Sequence, residues 1–407
     1  MAEEKGRTLK DARAGDPVAL ARALVATPSV NPEIEESGAG EAEVAELTAG
    51  WLRAWGLSVE MSEVAAGRWN VVGRLEGDGD GPTLLLNGHL DTVGVTGMTV
   101  EPFGGELQDG RLWGRGACDM KGGVAALLAA TAKVARDPLP GTLVVALTAD
   151  EEHASLGMES LVRSGMSADA AVICEPTGLA VMPAHKGFVW LEVAFRGRAA
   201  HGSRPDAGID AIEHAGHYLT ALGALRSRLR AGAPHPLLGH GSFHAGTIDG
   251  GSAPSVYPDV CRLVLERRTL PGEGAAGVVD EFQAILDDLA AVVPEFDAKL
   301  TQGLARPATE IRNDSPLVAG LLAACAAEGV DPMLAGMTAW VDAAFLNQAG
   351  TPSVCFGPGS IAQAHSADEW IECSEIVTCA AVLERFSHAF LQGDPGEMVT
   401  DVLAEAG

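Results

Sequence analysis

The chain has 407 residues, more than one typical domain needs, so we expect two domains or one domain with a large insertion. Hydrophobic residues make up 47% of the sequence and charged residues 20%, which indicates a packed core and excludes a disordered chain. The formal net charge of -27 argues against nucleic acid and against an anionic membrane as partners.

The compartment is predicted from the N-terminal stretch, the apolar runs and the cysteines. Residues 1–16 are polar and charged, without the apolar core of a secretion signal. The sequence contains no run of about 18 apolar residues, the length that a membrane-spanning helix needs. Seven cysteines are scattered without a Cys-x-x-Cys motif, as is typical of a reducing compartment. We therefore predict a soluble cytoplasmic protein.

The first half of the chain alternates helices with short apolar strands. Asp16-Pro17 predicts a helix start, because Asp is a favoured N-cap and Pro a favoured first residue. A second predicted helix, residues 41–55, ends at Gly56, which suits a left-handed cap. The next elements are predicted strands at 70–75, 83–87, 141–148 and 170–174 and a helix at 124–134. Apolar strands separated by helices predict an α/β fold with a mainly parallel sheet.

The pattern changes after about residue 183 to the order β-α-β-β-α-β, which predicts a ferredoxin-like α+β module. Its predicted elements are residues 188–195, 209–229, 242–248, 260–267, 275–289 and 296–301. The first pattern then resumes with a helix at 316–327, a strand at 353–356 and a helix at 375–391. We therefore predict a discontinuous α/β domain, residues 1–184 and 303–407, with an inserted domain at 185–302.

Acids and histidines follow the predicted strands of the larger domain. Ligands of open α/β sheets bind at the carboxyl ends of the strands, so these side chains should meet there. The side chains suited to metal are those of His89, Asp119, Glu152, Glu175 and His365. Imidazole and carboxylate ligands without thiolate favour zinc, cobalt or manganese. Five such ligands favour two metal ions that share one carboxylate.

Each of these residues also has a purely structural interpretation. Asp119 could cap the helix that it opens, and the adjacent acids Glu151 and Glu152 could form a solvated loop pair. Glu175 could cap a turn and His365 could lie on the surface. Acids and histidines at nearly every strand exit nevertheless favour the metal site.

The motifs NGHLDTV, GRGACDMKGG, ADEE, CEPT and AHSADEW occur in this order. Together they closely resemble the zinc amidohydrolase and peptidase family of acetylornithine deacetylase, succinyl-diaminopimelate desuccinylase, glutamate carboxypeptidase and the aminoacylases. The resemblance covers about residues 16–390, with the inserted domain included. It implies that the larger domain is a catalytic di-metal domain and that the inserted domain is a lid through which the protein forms a homodimer.

The resemblance also implies which side chains hold the two metal ions. His89, Asp119 and Glu175 would hold one ion, and Asp119, Glu152 and His365 would hold the other. Zinc is the metal expected in both places, with cobalt and manganese as alternatives. The peptide bond that follows Asp119 would be cis.

Amide hydrolysis needs an activated water, a polarised carbonyl and a protonated leaving amine, and metal ions promote the first two. By the resemblance, Glu151 is the general base and acid, which takes the proton of the water and delivers it to the departing nitrogen. Asp91 would orient the ring of His89. The sequence has no G-x-S-x-G motif to suggest a serine hydrolase of that type.

Three residues of the inserted domain complete the predicted site. His201, in Ala200-His201-Gly202, resembles the lid histidine that supports the developing oxyanion. Arg268 resembles the arginine that pairs with the substrate carboxylate. Ser255 stands where the family usually has Asn, so substrate specificity is not expected to follow the family's pattern there.

The predicted reaction is cleavage of an amide bond in a small carboxylate-bearing N-acyl amino acid, as in the acetylornithine deacetylase and succinyl-diaminopimelate desuccinylase branch. A metallo-dipeptidase or carboxypeptidase of the same family is the alternative enzyme. A catalytically silent, metal-dependent binding protein is the alternative from another class. Intact Glu151 and Asp91 favour an enzyme, because a silent relative does not need them.

Overall fold

The computed structural model describes residues 2–393, with side chains described from residue 8 onward. These residues form two units, each with its own hydrophobic core. Unit 1 consists of residues 2–183, 311–335 and 341–393, and unit 2 consists of Ala184–Glu310 and Gly336–Trp340. The insertion expected from the sequence, residues 185–302, lies inside unit 2 and is shorter than it.

The helices in chain order are α1 (Ala2–Arg13), α2 (Pro17–Val25), α3 (Ala42–Ala54), α4 (Gly122–Val134), α5 (Leu156–Arg163), α6 (Ala211–Ala231), α7 (Ala275–Val292), α8 (Pro316–Ala327), α9 (Ala343–Gln348) and α10 (Cys373–Leu391). A short irregular turn, Ala117–Lys121, precedes α4. Among residues 2–393, no helix combines the length and the apolar character needed to cross a membrane.

The strands in chain order are β1 (Ser58–Ala65), β2 (Arg68–Leu75), β3 (Thr83–His89), β4 (Glu106–Gln108), β5 (Arg111–Trp113), β6 (Thr142–Thr148), β7 (Ala170–Ile173), β8 (Val181–His185), β9 (Gly187–Arg196), β10 (Ser242–Gly250), β11 (Val260–Thr269), β12 (Asp297–Arg306), β13 (Thr309–Glu310), β14 (Leu334–Met337), β15 (Ser353–Cys355) and β16 (Trp370–Glu372).

The main sheet of unit 1 has the strand order β1-β2-β6-β3-β7-β15-β8. Strands β6, β3, β7 and β15 at its centre run parallel, whereas β1, β2 and β8 add antiparallel edges. The central strands are continuous apolar runs, such as residues 84–86 and 143–147, because both of their faces are buried. The α/β fold with a mainly parallel sheet is thus confirmed. A small sheet, β16-β5-β4, lies in the same unit.

Local sequence signals explain where the helices of unit 1 begin and end. The Asp16 carboxylate accepts a hydrogen bond of 2.7 Å from the Ala19 N–H, and Pro17 is the first residue of α2. Ser315 caps α8 in the same way, ahead of Pro316. Gly56, which follows α3, has a φ of +94°, as predicted for a left-handed cap. Helix α4 is buried over nearly its whole surface and packs against α2, α10 and β3.

Unit 2 contains the elements β9-α6-β10-β11-α7-β12, and its sheet has the antiparallel order β10-β11-β9-β12. This is the ferredoxin-like arrangement that the sequence predicts. Its core is built from aromatic and aliphatic side chains such as Phe195, Tyr218, Leu263 and Phe282. The last two residues of β8 also belong to unit 2, where they pair with β13.

Two local predictions differ from the structure. The prediction that Asp119 opens a helix is wrong, because Asp119 has extended backbone angles (φ -119°, ψ 97°) and α4 begins only at Gly122. Strand β12 extends to Arg306, five residues beyond the predicted 301, through a stretch in which no residue is buried and the pairing with β9 shifts register between Gln302 and Ala305. The peptide bond between Asp119 and Met120 is cis, as the resemblance implies.

Candidate metal centre

The candidate metal centre lies in unit 1, where three adjacent parallel strands end. His89 is the last residue of β3, Glu151 and Glu152 follow β6, and Glu175 follows β7. Strand β3 lies between β6 and β7, so the carboxyl ends of all three meet at one edge. The topology of the sheet therefore gathers residues that are far apart in sequence.

The first group of side chains surrounds Nε2 of His89. This nitrogen lies 3.2 Å from Asp119 Oδ1 and 3.9 Å from Glu175 Oε1. The other ring nitrogen, Nδ1, donates a 2.9 Å hydrogen bond to the main-chain oxygen of Asp91. This contact places the Nδ1 proton on the side of Asp91, so in the neutral ring the Nε2 lone pair would be free to bind a metal ion held among the carboxylates.

The second group surrounds His365, which follows β15 in a turn and has a φ of +61°. Its Nε2 lies 3.0 Å from Glu152 Oε2 and 3.5 Å from Asp119 Oδ2. The hydrogen bond to Glu152 raises the pKa of His365 to about 9. The second carboxylate oxygen of Glu152, Oε1, is buried and has no hydrogen-bond partner among the described residues. A buried, unpaired carboxylate oxygen is costly unless a cation binds it.

Asp119 connects the two groups, because Oδ1 faces His89 and Oδ2 faces His365. One carboxylate with an oxygen directed at each histidine can bridge two cations. The start of α4, just after the turn that carries Asp119, fits closely against the exit of β7. A Cβ at Gly123 would lie 1.9 Å from the main-chain oxygen of Cys174, so only glycine fits there.

Glu151 lies with the first group rather than the second. One potential ligand atom from each of His89, Glu151 and Glu175 falls within 4.8 Å of the other two, and the same holds for His89, Asp119 and Glu152. Glu151 and Glu152 are adjacent in sequence, yet they face different neighbours. All five sequence-predicted metal ligands and Glu151 are therefore brought together.

Burial and mutual repulsion control the ionisation of these acids. Burial raises the pKa of Glu151 and of Glu175 well above the ordinary value, and nearby carboxylates raise both further. Burial, followed by repulsion from Asp119, raises the pKa of Glu152 to about 7. Burial alone would lower the pKa of His89, but the Asp119 hydrogen bond and the surrounding carboxylates raise it well above the usual range. Divalent cations would relieve this accumulation of negative charge.

Asp91 makes contacts that the sequence did not predict in detail. Its carboxylate lies 3.6 Å from Nδ1 of His89, and it is the main-chain oxygen that accepts the hydrogen bond from the ring. The carboxylate instead accepts hydrogen bonds from the main-chain N–H groups of Glu151 (3.1 Å) and Glu152 (3.2 Å). Asp91 thus contacts both the histidine ligand and the turn that presents the two glutamates.

Glu369 is a further residue of the centre that sequence reasoning missed. Its Oε1 accepts hydrogen bonds from the N–H groups of Cys118 (2.9 Å) and Asp119 (3.0 Å), and its Oε2 accepts one from Gly116 (3.0 Å). Arg115 pairs with the same carboxylate at 2.7 Å. The only sequence signal was its place in the motif AHSADEW, where an acid follows the histidine.

The three predicted residues of unit 2 lie in two places within that unit. His201 is exposed, with its Nδ1 2.8 Å from Ser203 Oγ. It lies next to the Ser255 segment, because the N–H of Gly202 donates a 2.7 Å hydrogen bond to the main-chain oxygen of Ser255. Arg268, near the end of β11, donates a 2.7 Å hydrogen bond to Glu266 and stacks over the ring of Phe188.

The donor set of unit 1 fits divalent metal ions, because it combines two imidazoles with carboxylates of high charge density. The neighbouring thiols do not compete for them. Burial raises the pKa of Cys118 and of Cys174 far above that of a free thiol, so both stay protonated.

The amino-acid sequence matches the model of peptidase family M20/M25/M40 over residues 85–389. An acetylornithine deacetylase of Myxococcus xanthus is 33% identical over 353 residues, which is 84% of this chain and 90% of that protein. An acetylornithine deacetylase of Edwardsiella ictaluri (strain 93-146) is 32% identical over 393 residues, 92% of this chain and 98% of that protein. A dinuclear metal-binding peptidase of the M20 family from Bacillus subtilis has a similar solved structure, with a TM-score of 0.71, 18% identity and coverage of 94% and 99%. The family resemblance seen in the motifs is thus confirmed: the chain belongs to peptidase family M20/M25/M40 and is a hydrolase that acts on amide bonds.

Proposed function

We propose that this hydrolase uses two divalent metal ions to remove the acyl group of a small N-acyl amino acid that carries a free carboxylate. The observation that carries the two-metal proposal is the Asp119 carboxylate, whose oxygens lie 3.2 Å from one histidine and 3.5 Å from another. The substrate class is supported by the two relatives named acetylornithine deacetylase, which match most of the chain.

In this proposal His89, Asp119 and Glu175 hold one metal ion, and Asp119, Glu152 and His365 hold the other. Zinc is the metal that we propose, and cobalt and manganese suit the same donors. When bound, such ions polarise the scissile carbonyl and lower the pKa of water toward ~7. The dinuclear peptidase of similar fold supports the number of ions.

Glu151 is the proposed proton carrier. Burial and the charge of Glu175 raise its pKa, and a raised pKa makes a carboxylate a stronger general base. It takes this proton from the attacking water and delivers it to the departing amine nitrogen. Asp91 fixes the position of Glu151 by accepting the hydrogen bond from its main-chain N–H.

The proposed roles of the unit 2 residues rest on the sequence resemblance. His201 would support the negative charge that develops on the carbonyl oxygen. Arg268 would pair with the substrate carboxylate, which must then displace Glu266 from the guanidinium. Ser255 would set part of the substrate specificity, because it replaces the longer Asn of the family.

The assembly and the compartment are also proposals. Strand β10 is an edge of the unit 2 sheet and is exposed at every residue except Phe243, so it offers unpaired main-chain groups to a second copy of the chain. We propose a homodimer formed through this edge. The seven cysteines are all free and six are buried, which supports a cytoplasmic location.

A metallo-dipeptidase or carboxypeptidase is the second candidate function. It is favoured by the solved peptidase of similar fold, and the same metal centre and proton carrier would serve for a peptide bond. The two functions differ in the group attached to the scissile carbonyl, which is a simple acyl chain in an N-acyl amino acid and an amino-acid residue in a peptide.

Hydrolysis assays on a matched substrate panel test the proposal. Zinc- or cobalt-loaded protein is incubated with N-acetylornithine, N-succinyl-diaminopimelate, other N-acyl amino acids and simple dipeptides, and the Glu151→Ala variant is the control. Turnover of an acyl amino acid, lost in the control, is the expected result. Turnover of dipeptides alone would favour the peptidase. If no substrate of the panel is hydrolysed with both metal ions bound, the deacylase proposal and the dipeptidase alternative are both overturned.

A further inference from the structure

A buried Arg–Glu pair lies behind the turn that presents Glu151 and Glu152. Arg68 is on β2 and Glu41 immediately precedes α3, and their side chains are 4% and 0% exposed. Nε and Nη2 of Arg68 donate to the two carboxylate oxygens of Glu41, each at 2.6 Å. This two-point geometry fixes the plane of the guanidinium.

The remaining guanidinium nitrogen of Arg68 contacts the residue before Glu151. Its Nη1 lies 3.0 Å from Asp150 Oδ1. Glu41 also holds the main chain of Asp150, because its Oε1 accepts a 3.2 Å hydrogen bond from the Asp150 N–H. Arg68 therefore contacts the side chain of Asp150, and Glu41 binds its main-chain N–H.

Asn31 connects this pair to Asp91. Its Nδ2 donates to Asp150 Oδ1 at 3.0 Å and to Asp91 Oδ2 at 2.8 Å. Arg68 Nη2 lies 4.0 Å from the same Asp91 oxygen. The Asp91 carboxylate in turn accepts hydrogen bonds from the main-chain N–H groups of Glu151 and Glu152. A continuous set of polar contacts thus runs from Arg68 to the two glutamates.

The backbone conformation of Asp150 is one that these contacts help to maintain. Asp150 has a φ of +67°, a left-handed conformation that is uncommon for non-glycine residues although Asp tolerates it better than most. That conformation sets the direction in which the chain leaves β6. It thereby determines where the next two side chains point.

We propose that Arg68, fixed by Glu41, is a positioning residue for amide hydrolysis: it holds Asp150 so that Glu151 and Glu152 face their separate partners. This inference rests on the proposed function and adds residues that lie outside the metal ligands. Arg68 touches neither substrate nor metal in this account. Its effect is transmitted through Asp150, Asn31 and Asp91.

The test is the Arg68→Lys variant, which keeps the charge but loses the planar fork. We expect kcat on the best substrate of the panel to fall roughly 10- to 100-fold with little change in KM, because the geometry of Glu151 matters mainly in the transition state. We also expect calorimetric titration of cobalt into metal-free protein to show weaker binding at one of the two sites, since Glu152 is a ligand of only one. Circular dichroism at the assay temperature verifies that the variant is folded.

Arg111→Lys is the matched control. Arg111 pairs with Glu372 at 2.8 Å and stacks on Trp370 in the small sheet of the same unit. We expect this variant to keep the wild-type kcat and cobalt titration. If Arg68→Lys does not fold, Glu41→Gln replaces it, and the same loss of kcat is expected because the amide cannot accept at both oxygens.

The outcomes separate this inference from the proposed function. A wild-type protein that hydrolyses nothing on the panel would contradict the proposed function. A wild-type protein that is active, with folded Arg68→Lys or Glu41→Gln variants of equal kcat and unchanged cobalt binding, would overturn the positioning role. An equal loss of kcat in Arg111→Lys would overturn it as well, because the effect would then not depend on Asp150.

Discussion

Glu151 and Glu152 are sequence neighbours whose side chains meet different groups, so substitution should separate two functions. Glu151→Gln removes the proton carrier and leaves the ligands in place. We expect kcat to fall roughly 10²- to 10⁴-fold while the metal content, measured by elemental analysis, stays that of the wild type. Glu152→Gln removes a charged ligand beside His365, so we expect the protein to retain less metal.

Each of these two variants serves as the control for the other. Loss of metal in Glu151→Gln, or full metal content in Glu152→Gln, would contradict the assignment of the two roles. Added cobalt should restore part of the activity of Glu152→Gln only, because mass action can refill a weakened site.

His185 predicts a pH dependence of the stability of unit 2. It is fully buried, donates from Nδ1 to the main-chain oxygen of Lys186, and packs edge-on against Trp340. Burial lowers the pKa of His185 to about 4, whereas an exposed histidine has a pKa of about 6.5. Below pH 6.5 the unfolded chain binds the proton and the folded chain does not, so stability is lost as pH falls toward 4. We expect the free energy of unfolding to fall by about 2 kcal/mol between pH 7 and pH 5 from this residue alone.

Urea unfolding of His185→Phe measures this contribution. The variant lacks the titrating group and keeps a ring against Trp340, so its free energy of unfolding should depend less on pH than that of the wild type. The remaining acids and histidines are common to both proteins and cancel in the comparison. Equal pH slopes for the two proteins would rule out a buried neutral His185.

At the scale of residues, the sequence singled out the side chains that the structure brings together in the candidate metal centre, but not the residues that position them. His89, Glu152 and Glu175 follow apolar strands, a position that has meaning in any parallel sheet. Arg68 and Asn31 carry no such signal, because a charged or polar residue in a strand or loop is usually solvated. Their burial arises from the way distant segments pack, and sequence periodicity does not report it.

The turn before α4 depends on Glu369 for its shape, so we expect Glu369→Gln to disturb both halves of the metal centre. The substitution leaves Arg115 without its charged partner and gives the Gly116, Cys118 and Asp119 N–H groups fewer acceptors. Because the lost partner is buried, we expect a decrease of about 3 kcal/mol in the free energy of unfolding. Both metal affinities should fall, since Asp119 is shared, and competition with a chelator measures them.

Glu372→Gln is the control in the neighbouring strand β16. Glu372 pairs with Arg111 at a partly exposed position, so its loss should change the free energy of unfolding by less than about 1 kcal/mol. Metal affinities in this control should equal those of the wild type. If they fall as far as in Glu369→Gln, the turn is not held specifically by Glu369.

At the scale of elements, central elements were predicted more accurately than edges. Helix α8 begins at Ser315-Pro316 and ends at Ala327 as predicted, because its cap and apolar sequence are both strong signals. Strand β1 was missed: it is an edge strand with no fully buried residue, so its sequence lacks an apolar run. The end of β12, at one edge of the unit 2 sheet, was also missed, and it too has no buried residue.

At the scale of the whole molecule, the proposed dimer gives a direct prediction. Ile248, on edge strand β10, is 54% exposed and is therefore available to contact a second copy of the chain along this edge. We expect Ile248→Asp to convert a dimer into a monomer in analytical ultracentrifugation, because a buried charge would oppose edge-to-edge pairing. Val292→Asp is the control: Val292 is the last residue of α7 and is 75% exposed, and this variant should remain dimeric. A monomeric wild type would contradict the proposal.

Part of the division into units could not be predicted from any local pattern. Residues 336–340 belong to unit 2, although residues 311–335 and 341–393 on either side belong to unit 1. Their place depends on contacts with distant residues, such as the hydrogen bonds from Lys186 N to Met337 O and from Trp340 Nε1 to Pro307 O. The alternation of strands and helices in the sequence indicates the long insertion, but it does not indicate that residues 336–340 belong to unit 2.

The discontinuity of unit 1 has a consequence for the nascent chain on the ribosome. Strands β3, β6 and β7 are synthesised early, yet α10, which packs against the buried helix α4, is the last element described. The face of α4 that α10 covers therefore stays without this partner while more than two hundred further residues are translated. Nearly all of unit 2, by contrast, is complete once residue 310 has emerged. Translation thus gives the inserted unit the first opportunity to fold, whereas unit 1 cannot complete its core until α10 leaves the exit tunnel.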